Sequence, residues 1–104
     1  MDYKKINHEI KKFVEERNWE KHHSPKNLSM ALSVEASELL EIFQWKSEEK
    51  TIKLDAKTKT AAEEELVDIF YYVVRMCQKL NIDLEDAFYK KMEKNRIKYP
   101  IINN

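Results

Sequence analysis

The chain has 104 residues, 42% of them hydrophobic, and 19 Lys plus Arg balance 19 Asp plus Glu, so the formal net charge is zero. That balance gives no global field to recruit nucleic acid or a membrane surface, and the length fits one domain over residues 1–100 with a loose tail at 101–104. Glycine is absent, which excludes Walker A and Rossmann phosphate loops, and a lone cysteine, Cys77, excludes an intramolecular disulfide.

Tyr3, Ile6, Ile10, Phe13 and Val14 form one stripe at helical spacing, which predicts a first helix from Tyr3 to about Arg17 with Asp2 as its N-cap. The polar stretch NWEKHHSPKN follows. Within it, Ser24 then Pro25 reads as N-cap and first position of a second helix that runs to about Trp45. The next stretch, KSEEKTIKLDAKTK, has no sustained apolar stripe and reads as a loop with room for a short helical turn. A third helix is expected from about Thr58 to Leu80; its centre, LVDIFYYVVRMC, is apolar almost all round, which implies burial in a core and at a subunit interface. Asp83 and Asp86 suggest the start of a fourth helix, and Pro100 stops it after Tyr99. Strand signals are weak, so the fold class is all-α. No apolar run is long enough to span a bilayer. The charged N-terminus is unlike a secretion signal, and with the single cysteine it leads us to expect a cytoplasmic protein.

Two positions break the apolar logic of the second helix. Glu35 falls among Leu28, Ala31, Leu32, Leu39 and Ile42 on the helical wheel, and Glu38 lies at the edge of that stripe. Burying an unpaired carboxylate costs several kcal/mol or more. The third helix carries a matching pair, Glu65 and Asp68, on the side of Ile69, Tyr72 and Met76. Residues three apart on a helix share a face. Two such pairs meeting inside a bundle would repel unless a hard cation with oxygen ligands, Mg²⁺ by this chemistry, joined them. The competing reading of an E-x-x-E spacing is a solvated helix face, and it is the one we adopt for Glu41, Glu48, Glu49, Glu63 and Glu64.

Lys91 and Asn95 lie four apart on the side of Leu84 and Phe88, with Arg96 beside them. Such donors suit phosphate oxygens near a metal; equally, they suit surface positions whose stems cover the core edge. Trp19, His22, His23 and Trp45 offer stacking or hydrogen bonding to a base, against the alternative of simple packing at helix ends.

The strings RNWEKHHSPKNLSMALSVEASELLEIFQWK and EEELVDIFYYVVRMCQKLNIDLEDAFYKKMEKNRIKYP, with E-x-x-E, FQW, E-L-x-D and K-M-x-x-N-R-x-x-Y-P in order, closely resemble the MazG-like all-α nucleoside triphosphate pyrophosphohydrolases, most of all their small dCTP pyrophosphatase branch. The resemblance runs from about Phe13 to Pro100. It implies a four-helix bundle that oligomerises through its apolar helices, as a tetramer in preference to a dimer. It implies Mg²⁺ held by Glu35, Glu38, Glu65 and Asp68; of these carboxylates we expect Glu38, in preference to Glu35, to accept a proton from water. The implied substrate is a nucleoside triphosphate, cut to NMP and pyrophosphate. Base and sugar would meet Trp19, His22, His23, Trp45 and Tyr72; the phosphates would meet Lys91, Asn95 and Arg96. Nucleic acid and membrane are not expected partners. Two positions depart from the family pattern: Ser37 where Gly is common, and Ile10 where relatives of this branch can carry a polar residue. The alternative is an inactive nucleotide-binding or helical oligomerisation module. A di-iron carboxylate bundle is disfavoured because no His lies three residues after a paired Glu.

Overall fold

Each long helix begins at a side chain that accepts a hydrogen bond from its own first turn. In the computed structural model, which describes residues 1–102, α1 spans Tyr3–Glu16 and the Asp2 carboxylate accepts from the Lys5 amide at 3.1 Å. A one-turn 3₁₀ helix, Glu20–His22, follows. Helix α2 spans Pro25–Phe43; the Ser24 hydroxyl accepts from the Asn27 amide at 3.1 Å and Pro25 stands where no amide is needed. The stretch read as a loop contains a five-residue helix, α3, Glu48–Ile52. Helix α4 spans Ala56–Leu80, starting two residues earlier than Thr58 because Asp55 accepts from the Thr58 amide at 2.7 Å. It ends at Asn81, which takes the left-handed conformation (φ 57°) that asparagine tolerates better than most residues. Helix α5 spans Leu84–Lys98, capped by Asp83 and followed by Pro100.

The described residues contain no strand, and none of their helices is long and apolar enough to cross a membrane. Of the expected loose tail, Ile101 and Ile102 are exposed and outside any helix; Asn103 and Asn104 lie outside the described residues. Helix α2 ends at Phe43, so Trp45 stands beyond it in the following turn.

Helices α2 and α4 pack along each other and α1 lies on α4, whereas α5 makes only marginal contact with the rest. The core sits where the first three long helices meet. Val14 of α1, Leu28 of α2 and Val74 of α4 are fully buried, with Ala62 and Cys77 beside them. Each fully buried branched side chain contributes about 1.5–3 kcal/mol relative to exposure. The chain is open for its length: its radius of gyration is 17.0 Å, against about 13 Å for a compact chain of 100 residues. Val34, Leu40, Leu66, Val67, Phe88 and Ile97 are all exposed.

Candidate functional site

The packing of α2 on α4 brings the carboxylates together. Glu35 and Glu38 lie one turn apart on α2, and Glu65 faces them from α4. One oxygen from each can be chosen so that all three lie within 4.8 Å of one another. Glu35 and Glu65 are half-buried and Glu38 is exposed. One oxygen of Glu35 and one of Glu65, both Oε2, are buried with no hydrogen-bond partner. Buried polar atoms are nearly always paired, so two orphaned oxygens in one place call for an explanation. The electrostatics agree. The Glu35 carboxyl is pushed up to about 7, first by its hydrogen bond with Glu65, then by desolvation and by Glu38. Without a cation the cluster therefore holds a proton to higher pH than an ordinary carboxylate does. An all-oxygen donor set of this charge fits a hard divalent ion.

Asp68, one turn beyond Glu65, is not in that trio. It lines an adjoining hollow of about 290 Å³ together with Glu35, Phe13, Trp19, Val67, Tyr71 and Tyr72. Four of these side chains form an edge-to-face chain: Trp19 to Phe13 at 5.5 Å between centroids, Phe13 to Tyr71 at 6.1 Å, and Tyr71 to Tyr72 at 5.0 Å. Rings in such contacts take the orientation their quadrupoles favour. The Tyr72 hydroxyl is held above its ordinary range by burial and by the negative charges of Glu35 and Asp68. The hollow thus joins an aromatic wall to an acidic edge. A larger groove, about 680 Å³ and lined by Met1, Tyr3, Phe70 and Phe88 among others, has no comparable carboxylate cluster.

The remaining residues singled out from the sequence lie outside the lining of this hollow. The His23 ring stands 6.4 Å from that of Trp19, and its Nδ1 accepts a hydrogen bond from Arg75 Nε at 3.0 Å. His22 is exposed, and its backbone carbonyl accepts from Asn27 Nδ2. Trp45 is 89% exposed. Lys91, Asn95 and Arg96 lie on α5; Lys91 is exposed, Asn95 half-buried, and Arg96 pairs with Glu93.

Sequence reasoning missed Phe13 and Tyr71 as wall residues. Phe13 belongs to the core stripe of α1, and Tyr71 directly precedes Tyr72, so periodicity assigned both to packing. It also missed buried Arg75 and its link to Glu20 and His23, which lie more than 50 residues away in the chain. Only a guanidinium inside an apolar run pointed there.

An all-helical domain with carboxylates from two adjacent helices gathered beside an aromatic hollow defines a class of helical proteins with a candidate metal centre. Residues 30–104 match the model of the MazG-like family. The chain belongs to the MazG-like family. It is 41% identical over 91 residues to the mouse protein named dCTP pyrophosphatase 1, covering 86% of this chain and 54% of that one. The human protein of the same name is 40% identical over 90 residues, covering 85% and 53%. The chain thus spans about half the length of the curated relatives it matches. A crystal structure of a pyrophosphatase from Archaeoglobus fulgidus superimposes with a TM-score of 0.90 at 36% identity, covering 97% of this chain and 94% of that one.

Proposed function

We propose that this chain is a Mg²⁺-dependent nucleoside triphosphate pyrophosphohydrolase, converting a (d)NTP and water to the (d)NMP and diphosphate, with dCTP or a modified pyrimidine dNTP as substrate. The observation that carries this reading is the convergence of Glu35, Glu38 and Glu65 within 4.8 Å of one another, next to an aromatic hollow that Glu35 also lines. The names of the mouse and human relatives and of the archaeal neighbour support it.

Glu35, Glu38 and Glu65 would hold the ion, with Asp68 as the fourth carboxylate of the site. When bound, Mg²⁺ supplies charge neutralisation at phosphate oxygens and a water of lowered pKa. The protein's own residues do the positioning. Phe13, Trp19, Tyr71 and Tyr72 offer ring faces and edges to base and sugar. Glu38, the exposed member of the trio, accepts the proton of the attacking water. His22, His23 and Trp45 are assigned to the nucleoside, and Lys91, Asn95 and Arg96 of α5 to the phosphate oxygens, on the family resemblance and the chemistry of their donors.

We assign the chain to a homo-oligomer, a tetramer in preference to a dimer, acting in the cytoplasm. The open shape and the exposed apolar side chains of α2, α4 and α5 support the association. Sedimentation equilibrium tests it, and a monomer at micromolar concentration refutes it.

The test of function is a panel of NTPs and dNTPs with Mg²⁺, read by pyrophosphate release, with a chelated control. We expect turnover of pyrimidine dNTPs that the chelator abolishes. Glu38→Gln should retain the fold and lose roughly 10²-fold or more in kcat. Near-normal release by that variant removes Glu38 from the mechanism. No product from any nucleotide overturns the enzymatic reading in favour of a binding module.

A further inference from the structure

Trp19, in the wall of the hollow, stands on the short connection between α1 and α2. It is 41% exposed and lies next to Asn18 at φ 59°. What fixes this connection is a buried cation on α4. The Arg75 side chain is 3% exposed, in a place where an unpaired charge would be strongly disfavoured. Its guanidinium fork has three partners: Nη2 donates to Glu20 Oε2 at 2.7 Å, Nε to His23 Nδ1 at 3.0 Å and Nη1 to Gln78 Oε1 at 2.6 Å. Two of the three belong to the four residues that follow Trp19. The second Glu20 oxygen takes Lys79 Nζ at 2.7 Å, and Gln78 Nε2 donates to the backbone carbonyl and side chain of Asn7 on α1. Arg75 therefore ties the connection to α4 directly and to α1 through Gln78.

The fork also settles the state of His23. A ring nitrogen that accepts from a guanidinium carries no proton, so the imidazole is neutral with its hydrogen on Nε2. Burial and the nearby Arg75 charge both oppose a second proton.

We propose that Arg75 is a positioning residue of this site: it holds Trp19 in the wall of the hollow through Glu20 and His23, and it fixes His23 as the Nε2–H tautomer. The consequence for nucleotides rests on the proposed function; the positioning itself does not. Planar geometry is essential to the role, because three partners in three directions match a guanidinium and not an ammonium.

The test uses the full chain labelled with 5-fluorotryptophan and with ¹⁵N-histidine. In the wild type, we expect His23 to show an unprotonated Nδ1 and a protonated Nε2 at pH 8. Arg75→Met should move the Trp19 ¹⁹F signal toward that of the free amino acid, leave the Trp45 signal in place and let His23 exchange between tautomers. With nucleotide, KM should rise at least ten-fold with kcat within two-fold, and Mg²⁺ affinity should not change. Glu20→Gln, at an exposed position, should move the same signals more weakly and provides the test if Arg75→Met does not fold. An unmoved Trp19 signal with an unchanged His23 tautomer overturns the proposal. So does a parallel loss of kcat and Mg²⁺ affinity, which would mark a general structural role. The two spectra need no nucleotide, so a wild type that releases no pyrophosphate would overturn the proposed function alone.

Discussion

Replacing Glu35 by Gln should stabilise the metal-free protein at pH 8 while destroying its response to Mg²⁺. The carboxyl has an ordinary value of 4.5 and stands at about 7 in the folded chain, because Glu65 and Glu38 share its surroundings. A group raised on folding lends stability that is fully present below pH 4.5 and is lost as pH climbs through 7. At ~1.4 kcal/mol per pH unit the full gap is worth ~3 kcal/mol. Partial exposure and solvent screening reduce this to ~1–2 kcal/mol. Glutamine keeps the shape, can hydrogen-bond to Glu65 and has no charge to repel. In EDTA at fixed protein concentration, the variant should melt ~5–10 °C above the wild type at pH 8 and level with it at pH 4. Mg²⁺ should raise the melting temperature of the wild type and have little effect on the variant, whose donor set is one charge short. A variant that melts at or below the wild type in EDTA at pH 8, or a difference that stays flat with pH, would refute the argument that these carboxylates strain one another when no cation is present.

Other perturbations probe the scaffold. Leu28 is 1% exposed, so Leu28→Ala should cost ~2–5 kcal/mol, read as a lower urea midpoint. Asp55→Ala removes the cap of α4 and should lower stability less than Leu28→Ala does. The Asp55 carboxyl is held below its ordinary range by the Thr58 amide, so its contribution is present above about pH 4 and vanishes as pH falls through the depressed value, where variant and wild type should converge. Burial pushes the Cys77 thiol up, so a disulfide reagent at pH 8 should label the folded chain at least ~10-fold more slowly than the urea-unfolded one.

The helices were legible because their signals are local. Asp2, Ser24 with Pro25, and Asp83 announced three starts, and Glu35 betrayed the site by standing on an apolar face. Helix α3 was legible only as room for a short helical turn, because five residues are too few for a period to register. The early start of α4 escaped because Asp55 lies in a stretch with no apolar rhythm to cap. The hollow was harder to read. Phe13 and Tyr71 look like core residues in any helical wheel, and only tertiary packing decides that their edges face a cavity. The Arg75 fork joins residues 52 and 55 positions apart, a relation no spacing encodes. That His23 spends one nitrogen inside the protein follows from the same long-range contact.

The trio of carboxylates rides on the mated α2–α4 pair, whereas Trp19 hangs on a brief connector latched from a distance. On the proposed function, one element of discrimination, Trp19, therefore stands apart from the carboxylates, while Tyr71 and Tyr72 share the α4 rod with Glu65. On that reading, a lineage of such proteins can drift in which molecule it accepts by altering the connector and its latch, while the acidic positions themselves stay untouched. Laboratory libraries aimed at new selectivity belong at residues 17–24 and at Arg75 and Gln78, clear of the carboxylate positions on α2 and α4.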